Sequence, residues 1–284
     1  MITGLGTALI TPFKQNGTVD YDALKRLLDK QVAGQVDYIV VLGTTGEAAT
    51  LSRDEKEEVR QFIVNYIDGR LPLVLGVGGN CTAAVVDELH RLTPTLEASF
   101  EAILSVCPNY NKPSQEGLYQ HFVAVAQASP IPVLLYNVPG RTGVNLLPET
   151  VIRLHQAMPT NIVGIKEASG NLPQIHTLLD YARTTDLIVI SGDDGIAAEV
   201  MDAGGKGLIS VASNAFPEDF GRIVREHNHD LQLHYAPMVS LLFKEGNPSG
   251  IKTVLNQMGL IENVLRLPLV PNSEAVQREI QALL

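Results

Sequence analysis

The chain is poor in cysteine: only Cys81 and Cys107 occur in 284 residues. Two thiols make no disulfide framework, and neither sits at metal-ligand spacing, so buried thiols are expected at both positions. Basic residues are the minority, with 21 Lys and Arg against 31 Asp and Glu and a formal net charge of −10. That balance argues against nucleic acid or an anionic membrane as partner. It leaves room for a small anion in a locally positive pocket. No apolar run reaches the roughly 18–20 residues of a membrane span. The start, Met1-Ile2-Thr3-Gly4-Leu5-Gly6, lacks a basic n-region and a long apolar core. No leader is therefore expected, and the cytoplasm is the expected compartment. A G-x-G-x-x-G turn after the first apolar run is also missing, which speaks against a dinucleotide fold. The histidines are scattered; His227-Asn228-His229 is the one close pair and reads as a surface turn at a helix end.

What is present is one unit repeated: a short apolar run, a turn, an amphipathic helix. Apolar runs occur at Thr7–Thr11, Tyr38–Leu42, Leu73–Val77, Ala102–Val106, Val133–Tyr136, Ile162–Lys166, Leu187–Ser191 and Gly207–Val211. They are continuous rather than alternating, as parallel strands buried on both faces require. Helix signals follow them. Asp20 and Asn171 stand at N-cap positions, Ser52 and Glu55 form a capping-box pattern, and Pro148 and Pro217 open helices. The helix after Ser52 carries Val59, Phe62, Ile63, Tyr66 and Ile67 on one stripe. Eight alternating units in about 225 residues predict a closed α/β fold, the (β/α)8 TIM barrel, over 1–229; an open doubly wound sheet is the alternative. Beyond 229 the strand pattern stops. Leu231–Lys244, Ser249–Met258 and Ser273–Leu284 predict a C-terminal helical appendage over 230–284.

In such a barrel, chemistry belongs where strands end and βα loops begin. Those ends carry Thr44 and Thr45 after the second strand, and Cys107-Pro108-Asn109-Tyr110-Asn111 after the fourth. Tyr136, Asn137 and Arg141 follow at the fifth, Lys166 at the sixth, Gly192, Asp193 and Asp194 at the seventh, and Ile209 and Ser210 at the eighth. Taken singly, each has a bland reading: a tight turn, a surface ion pair, a helix cap. Together they bring hydroxyls, an arginine and a lysine to one barrel mouth.

Lys166 ends the run Ile162-Val163-Gly164-Ile165-Lys166, and alternation places Ile162, Gly164 and Lys166 on one face. A free lysine is only roughly 0.04% neutral at pH 7. An apolar interior and a nearby cation such as Arg141 would lower its pKa. A neutral amine can then attack a ketone, and the iminium it forms makes the adjacent carbon acidic. Tyr136 is the nearest candidate for the proton traffic that follows. An arginine fork suits a carboxylate. The acidic pair Asp193-Asp194 makes the usual phosphate corner of a barrel unfavourable for phosphate.

The whole chain resembles the dihydrodipicolinate synthase family. The resemblance rests on Gly43-Thr44-Thr45-Gly46-Glu47, Pro113-Ser114-Gln115-Glu116-Gly117-Leu118-Tyr119, Tyr136-Asn137-Val138-Pro139-Gly140-Arg141-Thr142-Gly143, Gly164-Ile165-Lys166-Glu167-Ala168 and Ser191-Gly192-Asp193-Asp194. It implies that Lys166 forms a Schiff base with pyruvate and that Tyr136 moves protons. It further implies a relay completed by Thr44 and by Tyr110, the latter lent by a neighbouring subunit of a homotetramer. Thr45, Gly192 and the Ile209 backbone would surround pyruvate, and Arg141 would bind the carboxylate of L-aspartate 4-semialdehyde. The implied chemistry uses neither a metal nor a cofactor. The alternatives are a sialic-acid or keto-sugar-acid lyase of the same superfamily, from which Arg141 distinguishes this chain, and a keto-acid-binding barrel without turnover.

The chain departs from the family in places. Asn109-Tyr110 replaces a tyrosine pair, and Thr93–Phe100 is longer than usual. The positions that hold inhibitory lysine in relatives correspond to Arg53, Lys56, Ala84 and Asn109, with only Asn80 kept. Two cations and a methyl group there imply weak or absent feedback by lysine.

Overall fold

A run such as Tyr38-Ile39-Val40-Val41 has apolar side chains on both faces, so it is stable only where both faces are covered. The computed structural model, which describes residues 2–91, 97 and 99–284, meets that demand by closing the strands into a ring. The strands are β1 (Gly4–Ala8), β2 (Tyr38–Val41), β3 (Leu73–Val77), β4 (Ala102–Val106), β5 (Val133–Asn137), β6 (Ile162–Glu167), β7 (Ile188–Ser191) and β8 (Gly207–Ser210). Each pairs in parallel with its sequence neighbours, and β1 pairs with β8 to shut the barrel.

The helices that follow in turn are α1 (Tyr21–Ala33), α2 (Arg53–Ile67), α3 (Thr82–His90), α4 (Gln115–Ala128), α5 (Pro148–Ala157), α6 (Leu172–Ala182), α7 (Ala197–Asp202) and α8 (Pro217–Glu226). They cover the outside of the ring. One apolar cluster, including Leu27, Ile39, Ile63, Phe122 and Leu178, fills the layer between strands and helices. A second, including Tyr38, Val40, Leu104, Leu134, Ile190 and Ile209, fills the barrel interior. The chain is therefore a (β/α)8 barrel, as its repeat predicts.

The expected caps form. Asp20 accepts the amide of Ala23 and Asn171 that of Gln174, and Ser52 and Glu55 make a reciprocal capping box. The first strand lies nearer the N-terminus than its apolar run suggests: pairing with β8 begins at Gly4, and the chain leaves the sheet after Ala8. The end of the helix expected over Cys81–Leu92 and most of Thr93–Phe100 lie outside the described residues.

Three helices follow the barrel: α9 (His229–Lys244), α10 (Ser249–Gln257) and α11 (Glu274–Gln281). They are bonded to it in specific places. Gln232 accepts the amide of Ala198 at 2.7 Å and donates to Glu199 at 2.7 Å, and the Tyr235 hydroxyl donates to Asp219 at 2.6 Å. No helix among the described residues is long and apolar enough to cross a membrane.

Strand β6 corrects the simple alternation expected of it. Ile162 belongs to the outer layer, while Val163 packs against the interior cluster. Pairing with β5 slips between Val133 and Leu134, which lie opposite Ile162 and Gly164. An extra residue on one strand is a β-bulge, and it resets which face each later side chain takes. After it, Gly164 packs against the interior residues Leu134 and Ile188, Ile165 turns outward, and Lys166 turns inward.

Candidate active site

Register places Tyr136 on β5 directly opposite Lys166 on β6. Both side chains are buried in the barrel mouth, and the Lys166 Nζ lies 4.2 Å from the centre of the Tyr136 ring. Among the described residues the Lys166 amine has no ion pair and no hydrogen bond, although the residue is only 6% exposed. A buried ammonium usually finds a carboxylate, so an unpaired one is a chemical signal rather than a packing accident. Gly192, at the end of β7, explains the space it occupies. A Cβ at that position would come within 2.9 Å of the Lys166 Cε and 2.6 Å of the Ala168 Cβ. Gly164 instead allows the close approach of β7, since a Cβ there would lie 2.4 Å from the Ile188 carbonyl oxygen, and Lys166 is not among its nearest contacts.

The mouth is a cavity of about 400 Å³, lined by Thr44, Thr45, Asn109, Tyr136, Arg141 and Lys166 among others. Thr44 is exposed and Thr45 buried, on one turn of 3₁₀ helix after β2. Thr45 Oγ1 accepts a hydrogen bond from Asn247 Nδ2 at 3.0 Å. Its own proton is therefore left to donate elsewhere. Arg141 sits on a single helical turn, Pro139–Thr142, and its Nη2 donates to the Asn247 carbonyl oxygen at 3.1 Å. Ile209 is buried in the interior cluster to which Tyr136 also belongs.

Two predicted residues do not meet inside the chain. Tyr110 is 84% exposed, with a positive φ of 70° and its amide tied to the Thr142 carbonyl, and its side chain does not line the cavity. Thr44 and Tyr136 share the cavity without a direct hydrogen bond among the described residues.

Behind the mouth lies a polar layer. Glu167, fully buried, accepts from Asn137 Nδ2 at 3.0 Å, Gln174 Nε2 at 2.8 Å and the Ser169 amide at 2.7 Å. Asn137 and Glu167 follow Tyr136 and Lys166 and are themselves register partners. Cys107 is buried, and burial, aided by the charge of Glu167, pushes its thiol up to about 12. That thiol is inert. Cys81, expected to be buried, is exposed instead, because it precedes the first turn of α3 at the strand end rather than within a packed face. Asp193 caps the following turn through the Gly195 amide. Asp194 is buried and accepts from the Val211 amide at 3.1 Å, pinning the loop after β8. Burial raises its pKa to about 6. The pair His227 and His229 both bond Asp202 at the surface, as a helix-end turn would.

Sequence reasoning missed Asn247, which joins Thr45 to Arg141. Its only mark in the chain is the Asn247-Pro248 break between helices.

An unpaired amine at the C-terminal mouth of a closed (β/α)8 barrel is the arrangement of barrel enzymes that work through a lysine. The chain belongs to the dihydrodipicolinate synthetase family, which it matches over residues 1–284. The 4-hydroxy-tetrahydrodipicolinate synthase of Parabacteroides distasonis is 48% identical over 290 residues, with 100% of this chain and 96% of the relative covered. The chloride-inhibited dihydrodipicolinate synthase of Acinetobacter baumannii, solved with pyruvate, superposes with a TM-score of 0.93 at 38% identity, covering 100% and 98% of the two chains. A monomeric dihydrodipicolinate synthase variant superposes with a TM-score of 0.93 at 38% identity, covering 99% and 95%.

Proposed function

We propose that this chain is a 4-hydroxy-tetrahydrodipicolinate synthase, a lyase that condenses pyruvate with L-aspartate 4-semialdehyde. The observation that carries the reading is Lys166, buried, unpaired and 4.2 Å from the Tyr136 ring. The Lys166 amine attacks the pyruvate ketone and, with loss of water, forms an iminium. The methyl carbon gives up a proton, and the resulting enamine attacks the aldehyde carbon. The amine of the second substrate then displaces the lysine as the ring closes, so Lys166 is returned unchanged.

Proton transfer falls to Tyr136, whose ring already abuts the amine, with Thr44 at the cavity's edge. Thr45 donates its free hydroxyl proton to the pyruvate carboxylate, beside the Ile209 backbone. Gly192 leaves the space in which the lysine chain turns. Arg141, oriented by the Asn247 carbonyl, takes the carboxylate of the semialdehyde through its planar fork. Tyr110, exposed and outside the lining of its own cavity, serves the cavity of a second copy. The working form is a homotetramer made of such pairs, in the cytoplasm.

Sodium borohydride with pyruvate tests the reading, followed by intact mass. The wild type is expected to gain one reduced pyruvate adduct and Lys166→Ala none. Absence of an adduct on the wild type removes the Schiff base and leaves a barrel that only binds keto acids.

Feedback by lysine is expected to be weak or absent. Arg53 and Ala84 are exposed, and Lys56 borders the cavity, so a ligand ammonium meets positive charge and no carboxylate at those positions. Strong inhibition by submillimolar lysine in the condensation assay contradicts this.

A further inference from the structure

The turn that carries Thr44 and Thr45 is held by an ion pair with no part in the chemistry above. Glu47, three residues after Thr44, and Lys252, on α10, are both fully buried and bonded to each other. The Glu47 carboxylate also accepts the Arg266 amide at 3.2 Å. The Lys252 ammonium donates to the Val264 carbonyl at 3.0 Å and lies 4.2 Å from the Phe13 ring centre. Burial pushes the lysine pKa down, against the pull of Glu47. The Arg266 guanidinium continues the grip, reaching the Thr50 carbonyl at 3.0 Å and the Gly17 carbonyl at 2.8 Å.

A buried ion pair is a poor way to add stability, because desolvation offsets much of its attraction, and apolar residues of equal volume do as well or better. What it adds is direction: a carboxylate and an ammonium sealed from water satisfy each other in few arrangements. Here the direction matters. Glu47 has a φ of 53°, the left-handed region, which a β-carbon resists and only surrounding contacts maintain. Its amide closes the turn on the Thr44 carbonyl at 3.1 Å, so the turn's shape and the position of Glu47 are one constraint. At the other end of the pair, Lys252 fixes α10, whose leading segment carries Asn247, and Asn247 orients the Thr45 hydroxyl and the Arg141 guanidinium.

We propose that Glu47 is a positioning residue: paired with Lys252, it ties the C-terminal region to the β2 turn and aims the Thr45 hydroxyl at the pyruvate carboxylate. This rests on the reading of Thr45 and Lys166 given above. It explains why a chain whose barrel closes by residue 210 keeps a charged contact at full burial with helices added after it.

The test uses the full-length enzyme and three variants: Glu47→Gln, Lys252→Met and the two combined. Each is first shown to be folded by thermal melting. The readouts are the pyruvate KM, kcat, and the rate of borohydride trapping with pyruvate. The folded single variants, and the neutral double variant in particular, are expected to raise the pyruvate KM about tenfold and slow trapping to match, as misplacement of a binding group does. Folded variants with lowered melting temperature but wild-type KM and trapping rate overturn the proposal, since the pair would then be structural alone. If Glu47→Gln does not fold, the double variant, which buries no lone charge, carries the measurement. Failure of both to fold also overturns it. A wild type that forms no adduct at all sinks the Schiff-base reading instead, which separates the two failures.

Discussion

Asp194 is a carboxyl that accepts from the Val211 and Ala212 amides next to the Ser210 hydroxyl, with no cation beside it among the described residues. Burial dominates over those hydrogen bonds, and its pKa stands at about 6 against an ordinary 3.8. Between those two values the native carboxyl keeps a proton that the unfolded chain has lost. The native state therefore binds more protons, and stability falls as pH rises through that window. At about 1.36 kcal/mol per pH unit, the contribution is roughly 3 kcal/mol, present near pH 4 and gone above pH 6. Asp194→Asn removes the titration, so the stability difference between wild type and variant should change by about that amount between pH 4 and pH 7 in urea unfolding. A difference that does not vary with pH refutes the assignment. Residues of this kind were only half legible in the chain. Asp193-Asp194 reads as a cap, and Asp193 is one, but the burial of its neighbour comes from the loop after β8, which no local pattern announces. Lys166 and Tyr136 were legible because each is a polar residue closing an apolar run, where the choice is the mouth or the layer behind it, which the following Asn137 and Glu167 take.

Helix α2 shows how an element can be read correctly and still be incompletely understood. Ser52 accepts the Glu55 amide at 3.2 Å, and Glu55 accepts the Ser52 amide at 2.8 Å, the reciprocal box that the spacing predicts. The same Glu55 carboxylate accepts from the Arg266 guanidinium at 2.8 Å, a partner 211 positions away. That hydrogen bond holds the carboxyl at about 2, well below the usual range. Losing the cap alone, in Ser52→Ala, costs about 1 kcal/mol. In a domain of this size that lowers the melting temperature by roughly 2 °C. Glu55→Ala removes both the cap's return bond and the anchor of Arg266, so it should lower the melting temperature further. Equal shifts would mean that Arg266 adds nothing through Glu55. Strand β6 makes the parallel point: its existence and end were legible from composition, whereas its bulge arises from pairing with β5 and has no signature in a single apolar run.

At the scale of the whole molecule, the site within one chain lacks one predicted member. Tyr110 projects from the loop after β4 into solvent, 84% exposed, held there by a left-handed backbone and an amide bond to Thr142. A large aromatic side chain in that state is the kind of group that interfaces bury. On the reading proposed above, exchange in a two-fold pair would be reciprocal, each protomer lending Tyr110 to the other's cavity. Tyr110→Phe leaves the lysine in place but removes the relay hydroxyl; Lys166→Ala does the reverse. When the two are refolded together, a mixed pair holds one cavity with both groups intact and one with neither. Random pairing of equal amounts makes about half the pairs mixed, so roughly a quarter of all cavities should be whole. Condensation activity should therefore return to about a quarter of wild type, from two preparations that are each nearly inactive. If Tyr110 acted on its own chain's cavity, no combination of the two variants could restore a complete site, and the mixture would stay as inactive as its parts.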